Sequence, residues 1–329
     1  MTVALAELLE TARVVALPMA TRFRGVDVRE ALLMRGPFGW TEFSPFVEYG
    51  DEEAAAWLAA AIEFGWSEVP LPDGTPQHIR VNATRPAVGP DAVDAVLDRF
   101  PGCRTVKVKV AEPGQSLADD VARVAKAREY LGADGRIRID ANGGWNVDEA
   151  EHAIHALAEF DLEYAEQPCP TVDELAQIRK RVKYMGIPIA ADESVRKATD
   201  PLAVAKAKAA DILVIKAQPL GGIRAALKII KKAKLPVVVS SALDTSVGLS
   251  MGAFLAASLP GGVTFDSGLG TAALLAADVT ATPLLPVDGV IPVARQEVDE
   301  VLLDRYAASE GRTQWWTERL RRTHSLLED

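Results

Sequence analysis

Thr105-Val106-Lys107-Val108-Lys109-Val110 alternates strictly between two kinds of side chain, and a period of two belongs to a β-strand. Val106, Val108 and Val110 share one face, and Lys107 and Lys109 share the other. On an edge strand such lysines would face solvent and guard against pairing with another chain. The flanking sequence reads instead as a buried parallel sheet. There, two neighbouring ammonium groups disfavour each other and burial disfavours both. At least one of the two pKa values is expected to fall towards neutrality, which suits a lysine acting as a base near pH 7.

Outward from this strand the chain repeats itself. From His78 on, strand-like stretches at 78–82, 105–110, 136–140, 162–166, 188–192, 211–216, 236–240 and 263–266 alternate with helical ones. A polar residue closes each strand, at intervals of 24 to 31 residues. Eight βα units of even length predict an α/β fold built on a (β/α)8, TIM-like barrel over residues 78–281. A doubly wound open sheet is the alternative, but it gives no reason for such even spacing.

Residues 1–77 follow another rhythm. Three strands, at 13–17, 28–34 and 38–43, precede a helix at 51–64 that Asp51 is expected to cap. The stretch 17–25 reads as a loop carrying Arg22 and Arg24, and the proline-rich 70–76 as a linker. This predicts a small N-terminal α+β domain capping the barrel. Residues 282–329 form a C-terminal segment whose Trp315, Trp316 and Leu320 suit packing back onto that cap.

Composition narrows the function. The chain has 329 residues, 49% hydrophobic and 25% charged, with a formal net charge of −10. An acidic protein without a basic run is a poor partner for nucleic acid. No apolar run approaches the ~18 residues of a membrane span. Glu7 and Glu10 near the start do not suit a signal peptide, so a cytoplasmic location is expected. Cys103 and Cys169 give neither a disulfide framework nor a zinc pattern. None of the four histidines closes a strand, which argues against a histidine base.

In a barrel the C-terminal strand ends converge on one face, where active sites form. The candidates there are Asn82, Lys107, Lys109, Asp140, Asn142, Glu166, Asp192, Glu193, Lys216, Ser240, Ser241 and Asp266. Asp140, Glu166 and Asp192 close three successive strands. Three converging carboxylates repel unless a cation joins them, and an all-oxygen set favours Mg²⁺, or Mn²⁺, over zinc. The competing explanation is that each carboxylate caps the helix after it. Lys109 and Lys216 flank the acids from the second and sixth strands. A small-molecule carboxylate lying between them would be set up for proton abstraction at its α-carbon.

Taken together, Lys107-Val108-Lys109, Asp140-Ala141-Asn142, Glu166-Gln167-Pro168, Asp192-Glu193-Ser194, and Ile215-Lys216 followed by Pro219-Leu220-Gly221-Gly222 resemble the ordered motifs of the enolase superfamily, muconate-lactonizing-enzyme subgroup. The likeness spans nearly the whole chain. Gly39-Trp40-Thr41-Glu42-Phe43-Ser44-Pro45 resembles the end of that family's capping sheet. Arg22-Phe23-Arg24-Gly25, and Ser240 through Gly248, are most similar to the o-succinylbenzoate synthase family of menaquinone biosynthesis.

That resemblance implies a Mg²⁺-dependent syn-dehydration of a succinylated cyclohexadiene carboxylate. Lys109 would be base and then acid, Lys216 would stabilise the enediolate, and Lys107 would tune Lys109. Asp140, Glu166 and Asp192 would hold the metal, supported by Asn142 and Glu193. Ser240, Ser241, Asn82, Arg22 and Asp266 are the candidates for substrate contact. Dipeptide epimerases of the superfamily carry Asp-x-Asp after the eighth strand. Here the stretch is Asp266-Ser267-Gly268, which disfavours a substrate bearing an ammonium group. Two alternatives stay open: racemisation of N-acyl amino acids, which uses the same two lysines, and a non-catalytic binding barrel.

Overall fold

The computed structural model describes residues 3–23, 25–196 and 200–327, so Arg24 of the loop motif lies outside the described residues. The cap begins with a short helix, α1 (Leu5–Glu10), that periodicity alone did not indicate. Strands β1 (Arg13–Phe23), β2 (Val26–Gly36) and β3 (Gly39–Phe43) then form an antiparallel sheet in chain order.

The expected loop at 17–25 is instead the distal arm of the β1–β2 hairpin. Pairing runs from Arg13 opposite Leu33 to Pro18 opposite Val28, then shifts register before Phe23 opposite Val26. Beyond Leu17 this arm buries neither face fully, so it carries no apolar alternation from which a strand could be read. Helix α2 (Asp51–Trp66) follows, capped by Gly50 rather than Asp51. Asp51, Glu52 and Glu53 lie inside its first turn, where negative charge meets the positive end of the helix dipole.

Strand β4 (His78–Arg80) is not the first barrel strand. It pairs antiparallel with β12 (Val290–Pro292) of the C-terminal segment. The barrel starts at β5 (Ala83–Arg85), followed by α3 (Val93–Leu97), β6 (Thr105–Lys109), α4 (Leu117–Leu131), β7 (Arg136–Asp140), α5 (Val147–Leu157), β8 (Leu162–Glu166) and α6 (Val172–Val182). It continues through β9 (Ile189–Ala191), α7 (Glu193–Arg196), α8 (Ala203–Ala207), β10 (Ile212–Ile215), α9 (Ile223–Ala233), β11 (Val237–Val239) and α10 (Ser246–Ala257).

Strands β5 to β11 form one parallel sheet in chain order. The eighth position holds no regular strand. Single parallel bridges, Ser240 to Gly268 and Val81 to Ser267, close the ring instead. The stretch 263–266 therefore precedes the eighth position rather than forming it.

The apolar faces explain the layers. Val106, Val108, Ile137 and Ile139 are buried in the large core cluster together with Val124, Ala127 and Ile154 of the surrounding helices. The interior faces of β6, β7 and β8 carry the polar residues. Two acid side chains of the cap fix it to the barrel. Glu63 of α2 accepts the backbone N–H groups of Ile223 and Arg224, at 2.5 and 3.2 Å, at the start of α9. Glu42 of β3 accepts those of Thr245 and Gly248, at 3.1 and 3.0 Å, at the start of α10. Both acids meet free N–H groups at the positive end of a helix. Gly222 is required at the first junction. Its φ is +111°, and a Cβ there would sit 2.0 Å from the Glu63 carboxylate.

The C-terminal helices α11 (Glu300–Arg305) and α12 (Glu310–Ser325) complete the described chain. Trp316 of α12 stands edge-on to Phe43 at 6.0 Å and donates to Glu30. Arg319 donates to the carbonyls of Pro45, Phe46 and Tyr49.

Candidate active site

The C-terminal ends of the strands open into a pocket lined by Lys107, Lys109, Asp140, Asn142, Asp192, Glu193, Lys216, Ser240 and Ser241. Strand register explains the grouping. Lys109 pairs with Asp140, and Asp140 with Glu166, so the three stand at one level of the parallel sheet. The helix-capping alternative fails for Asp140 and Glu166. Ser116, Asn146 and Thr171 cap α4, α5 and α6, each in a reciprocal box with the acid three residues on. That leaves the strand-end acids to face the barrel.

There they meet ammonium groups. The Lys107 Nζ lies 3.0 Å from Asp140 and 2.8 Å from Glu166. Lys109 reaches Asp140 at 2.5 Å and Lys216 reaches Asp192 at 2.6 Å. Arg196 of α7 adds a fourth cation. It bonds Asp192 at 3.2 Å and Glu193 at 2.7 Å, and reaches the hydroxyl of Tyr49 beyond the cap sheet at 2.9 Å. Asn142 links the two sides, accepting from Lys109 and donating to Glu193.

These pairings set the protonation states. Burial opposes charge on Asp140, yet Lys107 and Lys109 together hold it well below the ordinary carboxylate range. Burial also opposes charge on Asp192, and Lys216 and Arg196 bring it down to about 2. Glu166 has only a shared ammonium. Burial, with Asp140 and Asp192 nearby, pushes it up to about 7 against the pull of Lys107.

The expected fall in a lysine pKa on β6 does not occur at Lys107. Burial works against its charge, but Asp140 and Glu166 outweigh burial and raise it well above the ordinary lysine value. The lysine that falls is Lys216, through burial, reinforced by Arg196 and Lys107 and opposed by Asp192.

Three expected substrate contacts lie elsewhere. Asn82 is buried below the pocket, where its side-chain carbonyl accepts from Arg138 at 3.0 Å. Asp266 is buried too, bonded to Thr105 at 2.7 Å and Arg80 at 3.0 Å, at the entering end of β6. Both were placed too high because the first and eighth strand positions lie further along the chain than the polarity pattern indicated. Thr84 and Gly268 line the pocket in their stead. Arg22 is exposed on the hairpin arm, 3.9 Å from Asp27, beside an outer groove that shares Phe23, Lys109, Asn142 and Glu193 with the pocket. Ser240 and Ser241 do line the pocket. Neither caps α10, which is capped by Thr245, and Ser241 donates to Gly268 at 2.8 Å. The strand-end pattern missed Arg196, Phe23 and Thr271, all of them pocket residues.

Among the described residues, no three acid, histidine or cysteine side chains close around a common point. The acids turn to the lysines instead. The donor set still suits a hard divalent cation. Asp140, Glu166 and Asp192 are all buried, all oxygen donors, and one Glu166 carboxylate oxygen has no hydrogen-bond partner.

Residues 91–297 match the family described as enolase C-terminal domain-like, and residues 14–65 the one described as enolase N-terminal domain-like. The chain belongs to the enolase superfamily. Enzymes of this superfamily use a divalent metal, typically Mg²⁺. The chain is 56% identical to the o-succinylbenzoate synthase of Thermobifida fusca, over 88% of this chain and 89% of that one. It is 53% identical to the o-succinylbenzoate synthase of Mycolicibacterium smegmatis, over 98% of each chain. Its fold is similar to that of the muconate lactonizing enzyme of Pseudomonas fluorescens, with a TM-score of 0.76 and 20% identity over 91% of this chain and 98% of that one. No helix among the described residues is long and apolar enough to cross a membrane.

Proposed function

We propose that the chain is an o-succinylbenzoate synthase: a cytoplasmic hydro-lyase of menaquinone biosynthesis that dehydrates 2-succinyl-6-hydroxy-2,4-cyclohexadiene-1-carboxylate. The observation that carries the chemistry is the placement of Lys109 and Lys216. They project into one pocket from the ends of β6 and β10, with three strands between, and each pairs with a different member of the acid trio.

Asp140, Glu166 and Asp192 are the residues that would hold Mg²⁺. When bound, it would supply electrophilic stabilisation to the substrate's ring carboxylate as negative charge grows there. Lys109, in its neutral form, takes the proton from the ring carbon bearing that carboxylate. The electron pair left behind makes an enediolate, and the Lys216 ammonium stabilises its charge from the other wall. The ring C–O bond then breaks. The oxygen leaves as water, carrying the proton that Lys109 returns, and the ring becomes aromatic. One lysine serves both proton steps, so loss is from a single face.

Lys107 is bonded to both Asp140 and Glu166 and fixes the charge beside Lys109. Asn142 orients the Lys109 ammonium. Ser240 and Ser241 stand on the wall where the succinyl chain would lie, with polar groups for its carboxylate.

The test uses two substrates. With Mg²⁺ and the cyclohexadiene substrate, o-succinylbenzoate should form rapidly. With an N-succinyl amino acid in D₂O, NMR should show little α-deuterium exchange. Efficient racemisation with slow dehydration would overturn the reading in favour of an N-acyl amino acid racemase.

A further inference from the structure

The Glu166-Gln167-Pro168 motif contains a residue that the chemistry above leaves unused. Gln167 is fully buried and does not line the pocket. Its φ is +40°, a left-handed conformation that a residue with a side chain adopts only when its surroundings impose it. Every hydrogen-bonding site of its amide is engaged. The Oε1 accepts the backbone N–H of Asp192 at 3.0 Å and of Ser194 at 3.2 Å. The Nε2 donates to the Cys169 carbonyl at 2.9 Å and the Ser194 hydroxyl at 2.7 Å. Its backbone adds two further ties: its N–H donates to Ala190 at 2.8 Å, and its carbonyl accepts from Gly143 at 2.7 Å.

These six bonds reach the ends of three strands: β7 through Gly143, β8 through Gln167 itself, and β9 through Ala190, Asp192 and Ser194. Asp140 and Glu166 close the first two of those strands, and Asp192 directly follows the third. One of the six bonds goes to the backbone of an acid residue itself, Asp192, at 3.0 Å. Only an amide can fill this place. A carboxylate would set an oxygen against the Cys169 carbonyl, and a thioether would leave four buried partners unmet.

We infer that Gln167 is the positioning residue that holds the three carboxylates in mutual register for a divalent cation. The inference rests on the proposed metal site, so its test reads metal binding directly. Mn²⁺ is titrated into the purified full-length chain, and free Mn²⁺ is followed by electron paramagnetic resonance. The wild type should bind one ion. Gln167→Met and Gln167→Glu should weaken that binding about 10- to 100-fold, the range for lost supports of metal ligands. Ser194→Ala, which removes one of the four side-chain bonds, should weaken it about threefold. At saturating Mg²⁺ the Gln167 variants should recover turnover to within a few-fold, placing the defect in the metal requirement rather than in proton transfer.

Folded Gln167 variants that bind Mn²⁺ as the wild type does would overturn the inference and leave the metal site intact. A wild type that binds no Mn²⁺ would overturn the metal site itself. Should Gln167→Met fail to fold, the same titration of Gln167→Glu and Ser194→Ala decides: unchanged affinity in both counts against the inference.

Discussion

Lys107, Asp140 and Glu166 stand two residues beyond Thr105, Arg138 and Tyr164 on the same three strands. The interior of one barrel thus carries two polar layers, and they are built in opposite ways. In the lower layer a single buried cation is held by fixed partners through its Nε and Nη1, while its Nη2 has none. The Arg138 guanidinium lies 4.9 Å from the Tyr164 ring and 5.9 Å from that of Phe265. It donates to Asn82, to the Asp266 carbonyl and to Glu163. In the upper layer three acids and three lysines share one another. The backbone around them is strained as well: Ala111, Asn142, Gln167 and Leu243, just beyond β6, β7, β8 and β11, all have positive φ. The lower layer closes the barrel. The upper one keeps charge available for a reaction.

The contrast breaks most sharply at Lys109. Lys109→Ala should lower turnover by about 10²- to 10⁴-fold, the usual contribution of a positioned proton-transfer group. The melting temperature should barely change, because the lysine leaves behind an acid that Lys107 still pairs. Steady-state rates and a thermal melt of the same preparation check both halves. A variant keeping more than about a hundredth of the rate would remove Lys109 from the base role.

Glu166→Gln addresses the acids of the upper layer. It should stay folded but lose metal binding, so that added Mg²⁺ does not restore its activity. Chelation by EDTA should abolish wild-type activity, and added Mg²⁺ or Mn²⁺ should restore it. Full turnover in a metal-stripped, chelator-treated sample would refute the metal role.

Arg138→Met is the counterpart below. Removing one partner from a buried charged network costs about 3 kcal/mol of stability. The melting temperature should drop by several degrees, while the folded fraction keeps its kcat. A loss of kcat without a loss of stability would mean that the two layers are functionally coupled.

The two layers were not equally legible in the sequence. On β7, β8 and α4 the pattern and the structure share the same bounds, 136–140, 162–166 and 117–131. There the apolar periodicity is long and the polar end residues are isolated, so the acids and lysines stood out. At the seam of the barrel the signal fails. Strand β5 has three residues and the eighth position has only single bridges; Asn82 is polar because its side-chain carbonyl serves Arg138, and Asp266 because its carboxylate holds Thr105 and Arg80. A buried polar residue in the lower layer looks in sequence just like one in the upper layer. Arg196 lay just beyond a recognised motif and Gln167 inside one. Their roles depend on partners outside those motifs, Tyr49 and Cys169 among them, which spacing does not reveal.

The smallest expected effect lies between cap and barrel. Glu42 is fully buried, and burial, with Asp244 nearby, pushes its pKa up to about 7 from 4.5 despite Arg29 and the hydroxyls of Ser44 and Thr245. An acid whose folded pKa is raised binds its proton more tightly in the folded state than in the unfolded one. Its contribution to stability is therefore fully present below about pH 4.5 and is lost as pH rises to about 7. Glu42→Gln keeps an acceptor for Thr245 and Gly248 and cannot ionise. Its melting temperature relative to the wild type should therefore climb between about pH 4.5 and 7 and level off above. Melts across that range measure the difference. A gap that stays constant with pH would show that Glu42 holds its charge in the folded protein, and the cap would then be fixed to α10 by a carboxylate rather than by a protonated acid.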